Sequence, residues 1–283
     1  MVRITCHSIG KGLINSFPYL VILCIAVGLK VYYSRAGSDD LRWILSPIAQ
    51  VIDVFSDLTF EYESTTGFVD RTRRIIIAPG CAGVNFMIVA LCMTGFSVLP
   101  LSRSGSGKLA WLGFSMVAAY LLTIVANTLR IAVAIDLYQA DIYGRWMTPE
   151  RVHRFAGILI YLFLLCGFFW LISRLKQRLP RGRRYHLKRK RRDDTLIPLM
   201  WYVALTIGVP LLNEAYLKGA KRFMEHCGMV FFGCLIAFLS IYLLNLAYRR
   251  FFLIKTHLRD DETASDRGDA GMGYGKLPKE HNR

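Results

Sequence analysis

Six apolar runs, at about 17–33, 82–101, 109–129, 154–173, 196–212 and 228–248, leave few folds open to this chain. Each approaches the ~20 apolar residues that carry a helix across the hydrocarbon core of a bilayer. A backbone in lipid must satisfy its own hydrogen bonds, so such runs fold as helices. The expected class is all-α, a polytopic transmembrane helical bundle of about six spans with a short interfacial segment. A hydrophobic content of 54% and a mean hydropathy of +0.35 exclude an ordinary soluble domain. The first run is followed by Tyr32-Tyr33-Ser34-Arg35, a poor small-residue cleavage site, so it is expected to stay as an anchor.

Charge sets the expected orientation. The net charge of +16 is concentrated beside the spans. Residues 174–192 hold eleven Lys and Arg and no acid, and loop 102–108 holds Arg103 and Lys108 and no acid. The positive-inside rule places both in the cytoplasm, together with Arg3, Lys11 and Arg249-Arg250. Loop 34–80 carries seven acids against five basic residues and falls outside. Six crossings with both termini cytoplasmic close the parity. The basic run reads as a topology determinant that touches anionic lipid headgroups, not as a nucleic-acid site.

Three reactive side chains fall at one depth in this arrangement. Cys81 precedes Arg103 by 22 residues, Lys108 precedes Arg130 by 22, and His153 precedes Arg174 by 21. At ~1.5 Å per helical residue each gap is roughly one hydrocarbon thickness. If Arg103, Lys108 and Arg174 mark one face, then Cys81, Arg130 and His153 meet at the other. A thiol, a guanidinium and an imidazole supply a nucleophile, an anion stabiliser and a base.

Each has a plainer reading as well. Cys81 follows the Pro79-Gly80 break and is expected at or beside a helix N-cap. The positive end of a helix suits a nucleophilic thiol, and the amides of Ala82 and Gly83 are candidates to bind an oxyanion. Gly80 and Gly83 leave room for a substrate backbone. The alternative is a buried, inert cysteine. Arg130 lies in the apolar run 125–133 with Asn127 three residues earlier on the same face. It either stabilises an oxyanion or snorkels to phosphates. His153, one turn into a helix opened by Thr148-Pro149-Glu150, is either a general base for Cys81 or a hydrogen-bonded surface residue. Three plain readings at one depth, with three complementary chemistries, are less economical than one site.

The seven cysteines show no C-x-x-C and no metal-ligand spacing, so no metal and no cofactor is expected. Cys24, Cys92, Cys166 and Cys234 fall inside spans, Cys6 is expected in the cytoplasm, and Cys227 near the outer end of the last span. Segment 41–60 contains Pro47, Asp53 and Asp57 and is expected as an interfacial or re-entrant helix. Ile75-Ile76-Ile77 is a strand-like run before Pro79-Gly80. The expected domains are a membrane-embedded catalytic core at 1–175, a basic linker at 176–195, an accessory transmembrane hairpin at 196–258 and a disordered cytoplasmic tail at 259–283.

Three segments resemble the exosortase/archaeosortase family of integral-membrane cysteine transpeptidases. They are Pro79-Gly80-Cys81-Ala82-Gly83-Val84-Asn85-Phe86, Asn127-Thr128-Leu129-Arg130-Ile131 and His153-Arg154-Phe155-Ala156-Gly157. The resemblance covers roughly residues 60–175. It implies Cys81 as nucleophile, His153 as acid/base and Arg130 as transition-state stabiliser. It also implies a substrate class: secreted proteins ending in a short signature, a hydrophobic helix and a basic cluster (PEP-CTERM-like). These would be cleaved at the outer face of the cytoplasmic membrane through an acyl-enzyme on Cys81.

Two other function classes compete. A quinone-coupled thiol oxidoreductase would need a second external cysteine, for which Cys227 is the candidate. A transporter would use Arg130 to bind an anionic solute and would survive loss of the Cys81 thiol.

Overall fold

The computed structural model describes residues 6–56, 58–101, 104–140, 143–144, 148–178, 196–208, 211 and 215–269. Arg103, residues 179–195 of the expected linker at 176–195, and residues 270–283, on which part of the expected topology leans, lie outside them. The chain runs through helices α1 (Cys6–Tyr33) and α2 (Arg42–Phe55) into a small sheet of β1 (Glu61–Glu63), β2 (Gly67–Asp70) and β3 (Ile75–Ile77). A 3₁₀ turn at Pro79–Cys81 leads to α3 (Val84–Val98), then α4 (Gly105–Gln139) and α5 (Pro149–Arg178). Helix α6 (Leu196–Val203) continues as a π-helical turn at Ala204–Gly208, and α7 spans Ala215–Asp269 with non-helical geometry at Gly219.

Helix α3 is the middle of the bundle. It is apolar on every side and buried without a break from Phe86 to Gly95, and α1, α4, α5 and α6 all pack against it. Helices already in lipid gain little by leaving water, so close fit has to hold them together. Gly95 provides such a fit, because a Cβ there would lie 2.3 Å from Ile22 Cδ1 of α1. The opposite side of α1 exposes Phe17, Leu20, Leu23, Val27 and Val31, a face suited to hydrocarbon. Helix α4 is 35 residues, or ~52 Å, and outruns the hydrocarbon core.

Five helical stretches among the described residues are long and apolar enough to cross a membrane: Ser16–Tyr33, Pro79–Val98, Gly105–Tyr138, Pro149–Leu175 and Gly219–Leu244. The chain is an all-helical multi-pass membrane protein carrying one small sheet. Of the six expected spans, 196–212 is described over Leu196–Gly208 as a shorter apolar helix whose last five residues are π-helical, and residues 209–210 and 212 lie outside the described residues.

The chain divides by its contacts into units at 1–235 and 236–283. Helix α6 packs on both α3 and α5. Helix α7 continues to Asp269. No Gly or Pro interrupts the chain between Gly233 and Gly268, so nothing in that stretch breaks a helix.

The segment between α1 and α3 forms the cap that leads to Cys81. Helix α2 buries Ile44, Leu45, Ile48, Ala49 and Ile52, a single helical face, and packs on α4. Trp43 stacks on Tyr120 at 5.7 Å, and the Tyr120 hydroxyl donates to the Trp43 carbonyl at 3.0 Å. At 14 residues α2 is too short to cross a bilayer core. The three strands are antiparallel in the order β1-β2-β3, with Glu61 opposite Val69 and Phe68 opposite Ile77. Gly67 adopts φ +114°, and a Cβ there would lie 2.3 Å from the Ile77 carbonyl oxygen. The buried Asp70 carboxylate accepts the amides of Thr59 (2.9 Å) and Arg73 (2.8 Å), tying the sheet to the turn before β3.

Candidate active site

Strand β3 runs directly into the turn that carries Cys81. The Cys81 amide donates to the Ala78 carbonyl (2.8 Å) and the Ala82 amide to the Pro79 carbonyl (3.1 Å). Gly83 is the N-cap of α3, with φ +67°, so Cys81 lies two residues before the cap. The expectation that both the Ala82 and Gly83 amides are open to an oxyanion is therefore corrected. Ala82 spends its N–H on the turn, as a 3₁₀ geometry requires. Gly83 is needed twice over: its backbone is left-handed, and a Cβ would fall 2.0 Å from Asn127 Nδ2. Gly80 is different, because a Cβ there would meet nothing within 4 Å.

Asn127 joins this turn to α4. Its Nδ2 donates to the Ala82 carbonyl (3.3 Å) and to the Thr123 carbonyl one turn back (3.0 Å), and it is fully buried. Its Oδ1 accepts from the Tyr161 hydroxyl at 2.6 Å. Tyr161 stands on α5 and stacks on Phe86 of α3 at 4.5 Å between ring centres. One asparagine and one tyrosine thus lock α3, α4 and α5 together around the turn.

Arg130 lies within the same cluster. Its Nη1 donates to the Tyr161 hydroxyl at 3.1 Å and its Nη2 bonds His153 Nε2 at 2.9 Å. A guanidinium can only donate, so His153 Nε2 is the acceptor and a neutral imidazole carries its proton on Nδ1. The buried Nε has no partner among the described residues. Gly157 makes room for this packing, because a Cβ there would lie 2.8 Å from Arg130 Nε. Among the described residues one N–H on each Nη is left over for an incoming acceptor.

Cys81 is half-buried and close enough to Arg130, Tyr161 and Tyr33 to interact with them electrostatically. Among the described residues its thiol makes no hydrogen bond. The structure therefore joins Arg130 directly to His153 and brings Cys81 into the field of Arg130, but does not bond Cys81 to His153. The Arg154 guanidinium, next to His153, pairs with Glu150 one turn earlier.

Sequence reasoning missed Tyr161. His153, Gly157 and Tyr161 are spaced i, i+4, i+8, a single stripe on α5 facing the Asn127–Arg130 stripe of α4. That spacing is the signal that could have found it. His226 lines the same cavity as Arg130, as do Tyr202 and Thr206 around the π turn.

No curated protein and no solved structure matches the chain. Residues 10–170, more than half of the chain, match the family model described as transmembrane exosortase. The match covers Cys81, Arg130 and His153 and every helix that brings them together, and the chain belongs to the transmembrane exosortase family.

Proposed function

We propose that this protein is a membrane cysteine transpeptidase that removes the C-terminal sorting tail of secreted proteins at the outer face of the cytoplasmic membrane. The observation that carries the reading is the hydrogen bond from Arg130 to His153, made within electrostatic reach of Cys81. An arginine inside an apolar helix is costly, and among the described residues two neutral partners and no carboxylate bond it. Such a group is suited to a negative charge that forms only during reaction.

Cys81 Sγ attacks the scissile carbonyl carbon, and His153 takes the thiol proton. For that, His153 Nε2 exchanges its bond to Arg130 for one to the thiol. The released guanidinium N–H then meets the oxyanion. Collapse of the tetrahedral adduct breaks the C–N bond, His153 returns the proton to the leaving amine, and a thioester remains on Cys81. Water or an acceptor nucleophile releases it. Asn127 and Gly83 support the nucleophile turn, and Gly80 leaves it open to a peptide backbone. A nucleophile at the end of a helical bundle reaches a peptide bond just outside another membrane helix, which is where a sorting tail presents one. The basic end of such a tail would lie inside by the rule that orients this chain.

Cells carrying Cys81→Ala test the reading. Secreted proteins with a hydrophobic helix and a basic C-terminus should accumulate membrane-bound with their tails intact. Identical protein C-termini in wild-type and mutant cells would refute it.

A further inference from the structure

Two tyrosines end α1, and their side chains go to different places. Tyr32 is exposed, and its hydroxyl donates to the Asp40 carbonyl. Tyr33 lies on the inner face of the helix with Ile22, Ala26 and Lys30, at the i, i+4, i+8 and i+11 positions of one stripe. Two contacts set the register of that stripe on α3. Ile22 packs where Gly95 leaves out a Cβ, and Lys30 Nζ donates to Asn85 Oδ1 at 2.8 Å. The two helices therefore run antiparallel, Ile22 level with Gly95 and Lys30 level with Asn85. Tyr33 is three residues, or ~4.5 Å, further in the same direction, past the first residue of α3 and at the level of the turn that carries Cys81. Its phenol is half-buried there, within electrostatic reach of both Cys81 and Arg130. Among the described residues its hydroxyl makes no hydrogen bond.

A tyrosine hydroxyl taken out of water ordinarily finds a partner. At this position the partner can come with the substrate. A tetrahedral adduct on Cys81 needs preorganised donors aimed at its oxyanion, and a phenol is one of the groups that serve. The Ala82 amide is already committed to the Pro79 carbonyl. Arg130 divides its donors between Tyr161, His153 and whatever arrives. Tyr33 faces the nucleophile turn from α1, whereas Arg130 approaches from α4, so the two donors reach the reacting carbonyl from different helices.

We propose that the Tyr33 hydroxyl donates a hydrogen bond to the oxyanion that forms when Cys81 attacks the scissile carbonyl, alongside the Arg130 guanidinium. This rests on the reading of the chain as a transpeptidase. Tyr33 keeps its proton throughout, and the bonds made and broken are those already assigned to Cys81 and His153. The same hydrogen bond serves the second tetrahedral adduct, through which the thioester is released.

Two rates measured on Tyr33→Phe and Tyr32→Phe test this. One is tail processing in cells, followed by mass spectrometry of C-termini on the proteins that accumulate in Cys81→Ala cells. The other is alkylation of Cys81 by iodoacetamide, mapped by mass spectrometry. Alkylation displaces iodide from a saturated carbon and forms no oxyanion, so it reports the fold and the reactivity of the thiol alone. Tyr33→Phe should slow processing ~10²-fold, the scale of one lost oxyanion donor, and leave alkylation at its wild-type rate. Tyr32→Phe should leave both rates unchanged. Wild-type processing in Tyr33→Phe would overturn the proposal. So would processing and alkylation slowed in parallel, which would assign Tyr33 to the thiol or to the fold. Equal slowing in Tyr32→Phe would overturn it too, assigning the effect to the end of α1 as a whole. In each of these cases Cys81→Ala would still block processing, so the failure would be separable from that of the enzyme reading. If Cys81→Ala leaves tails processed, the transpeptidase falls and the role of Tyr33 with it.

Discussion

The Tyr161 hydroxyl donates to Asn127 Oδ1 at 2.6 Å, and it accepts from Arg130 Nη1 at 3.1 Å. Through Asn127 it reaches the Ala82 carbonyl beside Cys81. One phenol therefore couples the position of the guanidinium to that of the nucleophile turn. Tyr161→Phe should keep the stacking on Phe86 and lose both bonds. The expected result is a fall in kcat of about 10- to 100-fold with little change in KM, since a hydrogen bond to a charged group is worth ~1.5–3 kcal/mol. An equal change in KM and kcat, or none in either, would remove Tyr161 from a positioning role.

Arg130→Lys should fail more severely. A single ammonium cannot reach His153 and Tyr161 together while keeping a donor for an oxyanion. Loss of one such donor typically lowers the rate ~10²–10³-fold, and cleavage of tails by Arg130→Lys should fall at least that far. Near-normal processing would reassign Arg130 to lipid anchoring.

Gly83→Ala is expected to damage the fold itself. It puts a Cβ on a left-handed residue, a strain of about 1–3 kcal/mol, and drives it into Asn127 Nδ2. Thermal unfolding of the purified protein should show a lowered Tm, partly recovered in Gly83→Ala with Asn127→Ala. Gly80→Ala, with open space around its Cβ, should leave Tm unchanged. A Tm as low for Gly80→Ala as for Gly83→Ala would contradict this account of the turn.

Asp70 gives the cap a pH dependence. The amide of Arg73, and after it that of Thr59, holds this carboxyl below the ordinary aspartate value of 3.8. A depressed folded-state value means that its stabilising effect is fully present above pH ~4 and is lost as pH falls through the lower, folded value. Hydrogen exchange at the Thr59 and Arg73 amides should show constant protection from neutral pH down to about 4 and a decline below it. Asp70→Asn should abolish that dependence. Protection that falls as pH rises would reverse the sign and refute it.

Cys81, Arg130 and His153 stand out in the sequence because each is out of place in an apolar chain and the spacing puts all three at one expected depth, and the structure joins Arg130 to His153. Asn127 was legible through its spacing from Arg130. Tyr161 was not, because a tyrosine within an apolar span reads as core. Only the packing of α4 and α5 on α3 turns it toward the cluster. The strand at Ile75–Ile77 and the short helix α2 were visible in local pattern. The short α6 was not, because hydropathy counts apolar residues and is blind to the π turn at Ala204–Gly208. The place of α6 and His226 beside the cavity depends on contacts far apart in sequence, which no local pattern encodes.

Acylation of Cys81 by the substrate is the step on which the proposed function depends. Intact-mass analysis of the acid-quenched protein, purified from cells secreting its substrates, tests it most directly. A thioester adduct should map to Cys81, be released by hydroxylamine at neutral pH and be absent in Cys81→Ala. Tails cleaved at the wild-type rate in Cys81→Ala cells, with no adduct on the wild-type protein, would contradict it.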